Sequence, residues 1–167
     1  MSVFLIQRFP DPLLKQATRP VERLDENTQL FIDRLLLTMR HHPRCVGLAA
    51  PQVGSSLRIA VMDSSRHPKG ADSQGLIVLV NPSIGAAEGS VCQREGCLSI
   101  PDFTANVRRA TRVRVTALDA EGIQRTWQFH DFEAIIAQHE IDHLDGKLFL
   151  DRVANLTTDV FRRKDYA

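Results

Sequence analysis

Along the chain the spacing of apolar residues changes from helical to alternating and back. Leu24, Phe31, Leu35 and Met39 recur near helical spacing, Asp25, Glu26 and Asn27 supply start signals, and Pro43 follows the end. This predicts a first helix over Leu24 to Met39. Short segments rich in β-branched residues come next: Leu57 to Met62, Leu76 to Val80 closed by Asn81-Pro82, Arg112 to Leu118, and Gln124 to Phe129. Val113, Val115 and Ala117 alternate with Arg112, Arg114 and Thr116, and Asp119-Ala120-Glu121-Gly122 reads as the hairpin turn that follows. These are predicted antiparallel strands. Ser64 to Gln74, with Ser64-Ser65, Pro68-Lys69-Gly70 and Asp72-Ser73, reads as an exposed loop joining two of them. From Asp131 to Asp145 helical spacing returns, with Asp131 as N-cap and Gly146 as stop. A short third helix is predicted from about Asn155 to Lys164. Strands followed by helices, rather than strict alternation, place the fold in the α+β class.

Composition narrows the function classes. A chain of 167 residues fits one domain, 1–167, which buries roughly 70% of its unfolded surface without a covalent staple. No internal repeat, low-complexity tract or dividing linker interrupts it. Apolar residues at 43% and charged residues at 25% match an ordinary globular protein. A formal net charge of +1 argues against a phosphate-gathering surface, and Arg162-Arg163-Lys164 reads as a solvated helix end. Nucleic acid is therefore not an expected partner. The start, Met1 to Arg8, has no basic region leading into a long apolar run, and no stretch approaches the roughly 18 apolar residues of a membrane helix. A cytoplasmic protein with no membrane partner is expected. Cys45, Cys92 and Cys97 are too few for a disulfide framework and are read as free thiols.

Chemistry concentrates in the predicted second helix, where the chain reads His139-Glu140-Ile141-Asp142-His143. Residues four apart share a helix face, so both imidazoles can reach one ion while Glu140 leans toward the same site as a base. By this chain's own His and Glu frequencies the pattern arises by chance about once in a hundred. The bland alternative is an exposed helix with a His pair and a salt-bridging Glu. A catalytic metal generally takes three protein ligands and keeps a position for water. After His143 the chain has no His and no Glu, leaving Asp145, Asp151, Asp159 and Asp165 downstream. Upstream, Gly96 places Cys97 where backbone can approach closely, and the Cys97 thiolate is the third ligand taken here. A lone Cys is more often a small buried apolar residue, the reading kept for Cys92 and Cys45. Ligand geometry alone points to zinc.

Three segments then resemble the peptide deformylase family in order and separation: Gly47-Leu48-Ala49-Ala50-Pro51-Gln52, Glu95 through Pro101, and Gln138-His139-Glu140-Ile141-Asp142-His143-Leu144-Asp145-Gly146. The resemblance extends to the leading Phe-Pro-Asp-Pro-Leu-Leu and to Gly146 through Asp151. It implies an α+β fold of small antiparallel β-sheets packed around a central helix that carries the HExxH motif. It also implies a hydrolase that removes the formyl group from the N-terminal formyl-methionine of newly made polypeptides. Position by position, Cys97, His139 and His143 would hold one divalent metal ion, in that family usually Fe2+ with Zn2+ and Ni2+ as substitutes. Glu140 would take a proton from the attacking water and return it to the amine, and the Gln52 amide and Leu98 N–H would bind the oxyanion. The implied partners are N-formyl-Met nascent peptides, with the ribosome near the exit site as a further candidate.

A methionine side chain needs an apolar slot, for which Val46, Phe132 and Ile136 are the candidates, against plain core packing. Backbone pairing along Val46 and Gly47 would let later residues vary. Cys45 stands where the family commonly has Gly, which bears on groove width. Phe103-Thr104-Ala105 replaces a segment that in many members carries a peptide-holding Arg. Asp131 replaces a common Gly and Glu133 an apolar residue, both expected near the pocket entrance. Asp142 is open between orienting a His and a simple salt bridge, while Trp127 is read as core and His67 and His130 are given no role. The rival readings are a metallopeptidase of another fold, which would need a ligand beyond His143, and a metal-retaining binding module without turnover.

Overall fold

The computed structural model describes residues 1–164 of the chain. Helix α1 spans Glu26–His41, with the Asp25 carboxylate accepting from the Thr28 N–H at 2.9 Å as its N-cap. Strands β1 Gly47–Ala49, β2 Ile59–Met62, β3 Ile77–Glu88, β6 Arg112–Leu118 and β7 Gln124–His130 form one antiparallel sheet in the order β1-β2-β3-β6-β7. Strands β4 Val91–Cys97, β5 Ile100–Arg109 and β8 Val160–Arg162 form a second, with β5 in the middle. Helix α2 runs Asp131–Leu144. The α+β expectation holds, with antiparallel sheets around the helix that bears His139 and His143.

Alternation explains how the larger sheet holds both helices. On β2 and β3, Met62, Ile77 and Leu79 pack with Ala134, Ala137 and Ile141 of α2. Ile59, Val61, Val78 and Val80 pack with Ile32, Leu35 and Met39 of α1. Because a helix covers each face, these strand segments are buried continuously rather than alternately. A third apolar cluster, with Leu14, Ile100, Ala105, Val107, Leu148 and Phe149, closes under the small sheet and includes Cys97.

Several expectations are corrected. Asn155 to Lys164 is not helical: the Asn155 side chain accepts from the Thr157 and Thr158 N–H groups, and Val160–Arg162 then pairs with Phe103, Thr104 and Ala105. Local β-branched residues and an available strand edge outweigh helix formation. Arg162-Arg163-Lys164 is therefore the end of a strand, not of a helix. Strand β3 continues through Asn81-Pro82, because register shifts let Pro82 sit in an irregularity while the Asn81 amide bonds both backbone groups of Val21. The cap of α2 is His130 rather than Asp131; Asp131 itself has φ +47° and its N–H goes to the Thr111 carbonyl. Asp165, a candidate ligand by sequence, lies outside the described residues. Strands β1, β4, β5 and β8 were not predicted.

Gly146 ends α2 at φ +74°, and a Cβ there would come within 2.8 Å of the Gln16 carbonyl carbon and 2.9 Å of the Lys15 oxygen. Gly75 has φ +81° with open space around it. Gly75→Ala is expected to cost only the left-handed penalty of about 1 kcal/mol, and Gly146→Ala clearly more because backbone must move. Denaturant midpoints of the two variants check this, and equal losses would contradict it.

Candidate metal centre and active site

Three side chains from two elements converge on one point. His139 and His143 project from consecutive turns of α2, and Cys97 ends β4 just before the tight turn into β5. The sulfur and ring nitrogens lie within 4.8 Å of one another, with Cys97 Sγ 3.3 Å from His143 Nε2. Metal bonds of about 2.3 Å to sulfur and 2.1 Å to nitrogen give a tetrahedral edge of about 3.6 Å, so the donor spacing fits one ion. One soft thiolate and two imidazoles suit a divalent transition metal rather than Mg2+ or Ca2+. Burial alone would raise the Cys97 thiol, but the charge of His143 and hydrogen bonds from both imidazoles reverse this and hold it well below its usual value. Burial likewise disfavours the charged form of His139, yet its bonds to Cys97 and Glu95 raise it well above the ordinary imidazole range. These protons are the ones a metal would displace.

Behind the ligands lies a buried charge network. His139 Nδ1 contacts Glu95 Oε2 at 2.8 Å, which turns Nε2 toward the site. Arg109 grips Glu95 through Nε at 2.7 Å and Nη2 at 3.0 Å, and donates from Nη1 to Asp142 at 2.5 Å. Arg152 adds a bidentate contact to Asp142 at 2.6 and 3.0 Å. Burial works against the Glu95 carboxylate, but His139 and Arg109 bring it down to about 2. Asp142 is thus both alternatives at once, a salt bridge that positions His139 through Arg109 and Glu95. Among the described residues His143 Nδ1 has no partner, so beyond the Nε2 contact with Cys97 Sγ only packing holds that ring.

Glu140 is buried beside the ligand cluster, and one carboxylate oxygen has no hydrogen-bond partner. Burial pushes it up to about 7, against the pull of the two imidazoles, in the range where a group gives and takes protons near neutrality. Gly47 makes its position available: a Cβ at Gly47 would fall 2.4 Å from Glu140 Oε1 and 2.9 Å from Cγ. The Gln52 carbonyl accepts from the Ala49 N–H at 3.0 Å, which aims the amide nitrogen at Cys97 Sγ and Ser99 Oγ, each 3.3 Å away. Its two ends thus serve the loop and the site respectively. Leu98 is the first residue of the β4–β5 turn, so its N–H lies outside the strand ladder.

A cavity of about 580 Å³ opens onto this cluster, lined by Val46, Gly47, Gln52, Leu98, Phe132, Ile136 and Glu140 among others. Ile136 lines the cavity and also packs in the main core. Cys45 lines the cavity too; burial raises its thiol to about 12, and the sulfur donates to the Gly47 carbonyl at 3.1 Å.

A family model described as polypeptide deformylase matches residues 3–159. The chain belongs to this family. It is 42% identical over 164 residues to a peptide deformylase of Syntrophobacter fumaroxidans, covering 98% of this chain and 94% of that protein. The crystal structure of a peptide deformylase from Legionella pneumophila superposes with a TM-score of 0.83 at 41% identity, covering 93% of this chain and 88% of that one. A Met-Ala-Ser-bound peptide deformylase from Acinetobacter baumannii gives a TM-score of 0.84 at 34% identity, covering 91% and 99%. Deformylases of this family are metal-dependent enzymes that remove the N-formyl group from nascent peptides.

The structure also brings in residues that sequence reasoning passed over. Glu95 was given no role within its motif and Arg109 none at all, and Ile135 and His67 line the cavity without having been assigned to it. His67 stacks on Phe132 with ring centroids 4.6 Å apart. Glu133 does not line the cavity; its buried carboxylate accepts from Ser73 Oγ at 3.0 Å and the Gln74 N–H at 2.9 Å, anchoring the Ser64 to Gln74 loop that carries His67. The loop remains mostly exposed, as expected, with Ser64 buried and His67, Gly70 and Ser73 half-buried. Asp131 is exposed and does not line the cavity.

Replacing Arg109 by Met would leave Glu95 and Asp142 buried without their shared cation. The expected loss is about 3–5 kcal/mol of stability, read from denaturant unfolding. A loss under about 1 kcal/mol would mean that water reaches the carboxylates.

Proposed function

We propose that residues 1–167 act as one catalytic unit that hydrolyses the N-formyl group of formyl-methionyl peptides, with Cys97, His139 and His143 as ligands of a resident Fe2+ and Glu140 as the proton carrier. The observation that carries this is the convergence of the three donors with a buried, partly unpartnered carboxylate on the floor of one cavity. Zn2+ and Ni2+ fit the same donors. Such an ion, when bound, supplies Lewis acidity and brings the pKa of a coordinated water toward about 7.

The side chains do the rest. Glu140 accepts the proton of the attacking water and delivers it to the departing amine nitrogen, a role worth about 10²–10⁴-fold. As the formyl oxygen gains charge, Gln52 exchanges one of its long contacts for that oxygen and the Leu98 N–H joins it; each donor is worth about 3–4 kcal/mol. Val46, Phe132 and Ile136, with His67 stacked behind Phe132, enclose the methionine side chain. Because β1 is an edge strand of its sheet, the peptide backbone can pair along Val46 and Gly47 as an added strand. The bound Met-Ala-Ser of the A. baumannii deformylase is the kind of deformylated peptide this cavity would release. Nascent chains place the work in the cytoplasm, near the ribosomal exit.

Anaerobic assay of formyl-Met peptides with Fe2+, Ni2+ and Zn2+ tests the reading. Cys97→Ser and His143→Ala are expected to lose metal as well as turnover, whereas Glu140→Gln keeps metal and loses about 10²–10⁴-fold in kcat. Full metal occupancy and activity in Cys97→Ser would show the ligand set to be wrong. Gly47→Ala is expected to retain metal yet lose about 10²-fold or more in kcat, since its methyl group displaces Glu140; unchanged kcat would remove that constraint.

A further inference from the structure

The mouth of the cavity is cationic, although the chain as a whole is nearly neutral. Arg44, Arg94, Arg163 and Lys164 line it and are exposed. None of them meets a carboxylate at ion-pair distance among the described residues. The acidic residues that line the same cavity, Glu95 and Glu140, are both buried, and Glu95 is already held by Arg109.

Two of these cations are positioned rather than loose. The Arg163 N–H donates to the Asp102 carbonyl at 2.8 Å, and the side chain crosses the small sheet to Gly96, where a Cβ would stand 2.1 Å from its Nη2. Gly96 faces Thr104, and Thr104 faces Phe161 on β8, so small residues clear that path. In the opposite direction the Arg94 guanidinium lies 3.6 Å from the centroid of the Phe161 ring. Two planar guanidinium groups thus rest on the outer face of the small sheet, opposite the face of Glu95 and Cys97, where they reach the cavity rim, and Arg44 lines the same rim just ahead of β1. A peptide paired with the β1 edge, as proposed above, would leave the cavity past this rim.

We infer that this rim selects formylated peptides that carry a carboxylate shortly after the methionine, either an acidic side chain or, in a short peptide, the C-terminal carboxylate. Guanidinium groups match carboxylates with paired, directional hydrogen bonds, and a cleft lined by one sign of charge concentrates the opposite sign. The inference rests on the deformylase reading given above and adds to it a preference among substrates.

The test uses Ni2+-loaded enzyme and four peptides: formyl-Met-Ala-Glu amide, the Gln and Lys amides, and formyl-Met-Ala-Gln with a free C-terminus. At low ionic strength kcat/KM is expected to be about tenfold or more higher for Glu than for Lys, with the free acid above its amide. High salt should shrink the difference. Arg94→Gln/Arg163→Gln should flatten the Glu-to-Lys ratio, while Arg23→Gln, ahead of α1 and not lining the cavity, leaves it unchanged. Calorimetric binding of the deformylated Met-Ala-Glu and Met-Ala-Lys amides to metal-free protein should give the same order without turnover. If the double variant does not fold, Arg163→Gln and the wild-type peptide series decide. Equal kcat/KM for Glu, Gln and Lys overturns the rim while leaving deformylation intact, whereas no cleavage of any formylated peptide overturns the deformylase reading itself. A ratio that survives in the double variant, or rim-dependent ribosome binding with no peptide preference, also overturns the rim proposal.

Discussion

A buried guanidinium shared between two carboxylates ties the two halves of the active centre together. Arg109 comes from β5, Glu95 from β4 and Asp142 from α2, and all three are nearly inaccessible to water. Separating the small sheet from α2 would strand at least one of these charges in a low-dielectric interior, a cost of several kcal/mol. The same contacts fix Cys97 relative to the two imidazoles, because Cys97 is two residues beyond Glu95 and His143 one beyond Asp142. Stability and ligand geometry therefore rest on one set of hydrogen bonds.

Around that lock the site is arranged by exclusion. Gly47 leaves room for the Glu140 carboxylate, and burial then carries its proton affinity into the neutral range. Gln52 spends its carbonyl on the Ala49 N–H so that only its amide hydrogens face the sulfur. Glu133, in the first turn of α2, has no ion-pair partner among the described residues; serine hydroxyls and a backbone N–H satisfy it, and the loop bearing His67 is held as a result. Buried acids on one helix thus serve three ends, through a cation, through desolvation and through neutral donors.

The helices and the Arg112 to Phe129 hairpin were legible because their inward residues are apolar and repeat at the right period. The candidate metal residues were legible because His139 and His143 sit four apart and the surrounding motifs resemble a known family. Strands β4 and β5 were not, since their inward positions include Glu95, Cys97 and Arg109, which break the apolar alternation that reveals a strand. Strand β8 exists only because β5 offers it an edge, a tertiary fact that local preference does not encode. The roles of His67, Arg94 and Arg163 depend on loops and sheet crossings, for which the chain carries no periodic signal.

Ile136, Glu140 and the two imidazoles ride on a single rigid rod. Four residues of α-helix advance about 6 Å, so the offset between the apolar wall at Ile136 and the carboxylate at Glu140 is set by helical pitch and not by any hinge. Under the proposed function α2 is then an inextensible ruler for the substrate's first residue: motions of the neighbouring loop would widen or narrow the slot without changing its depth relative to the bond that breaks.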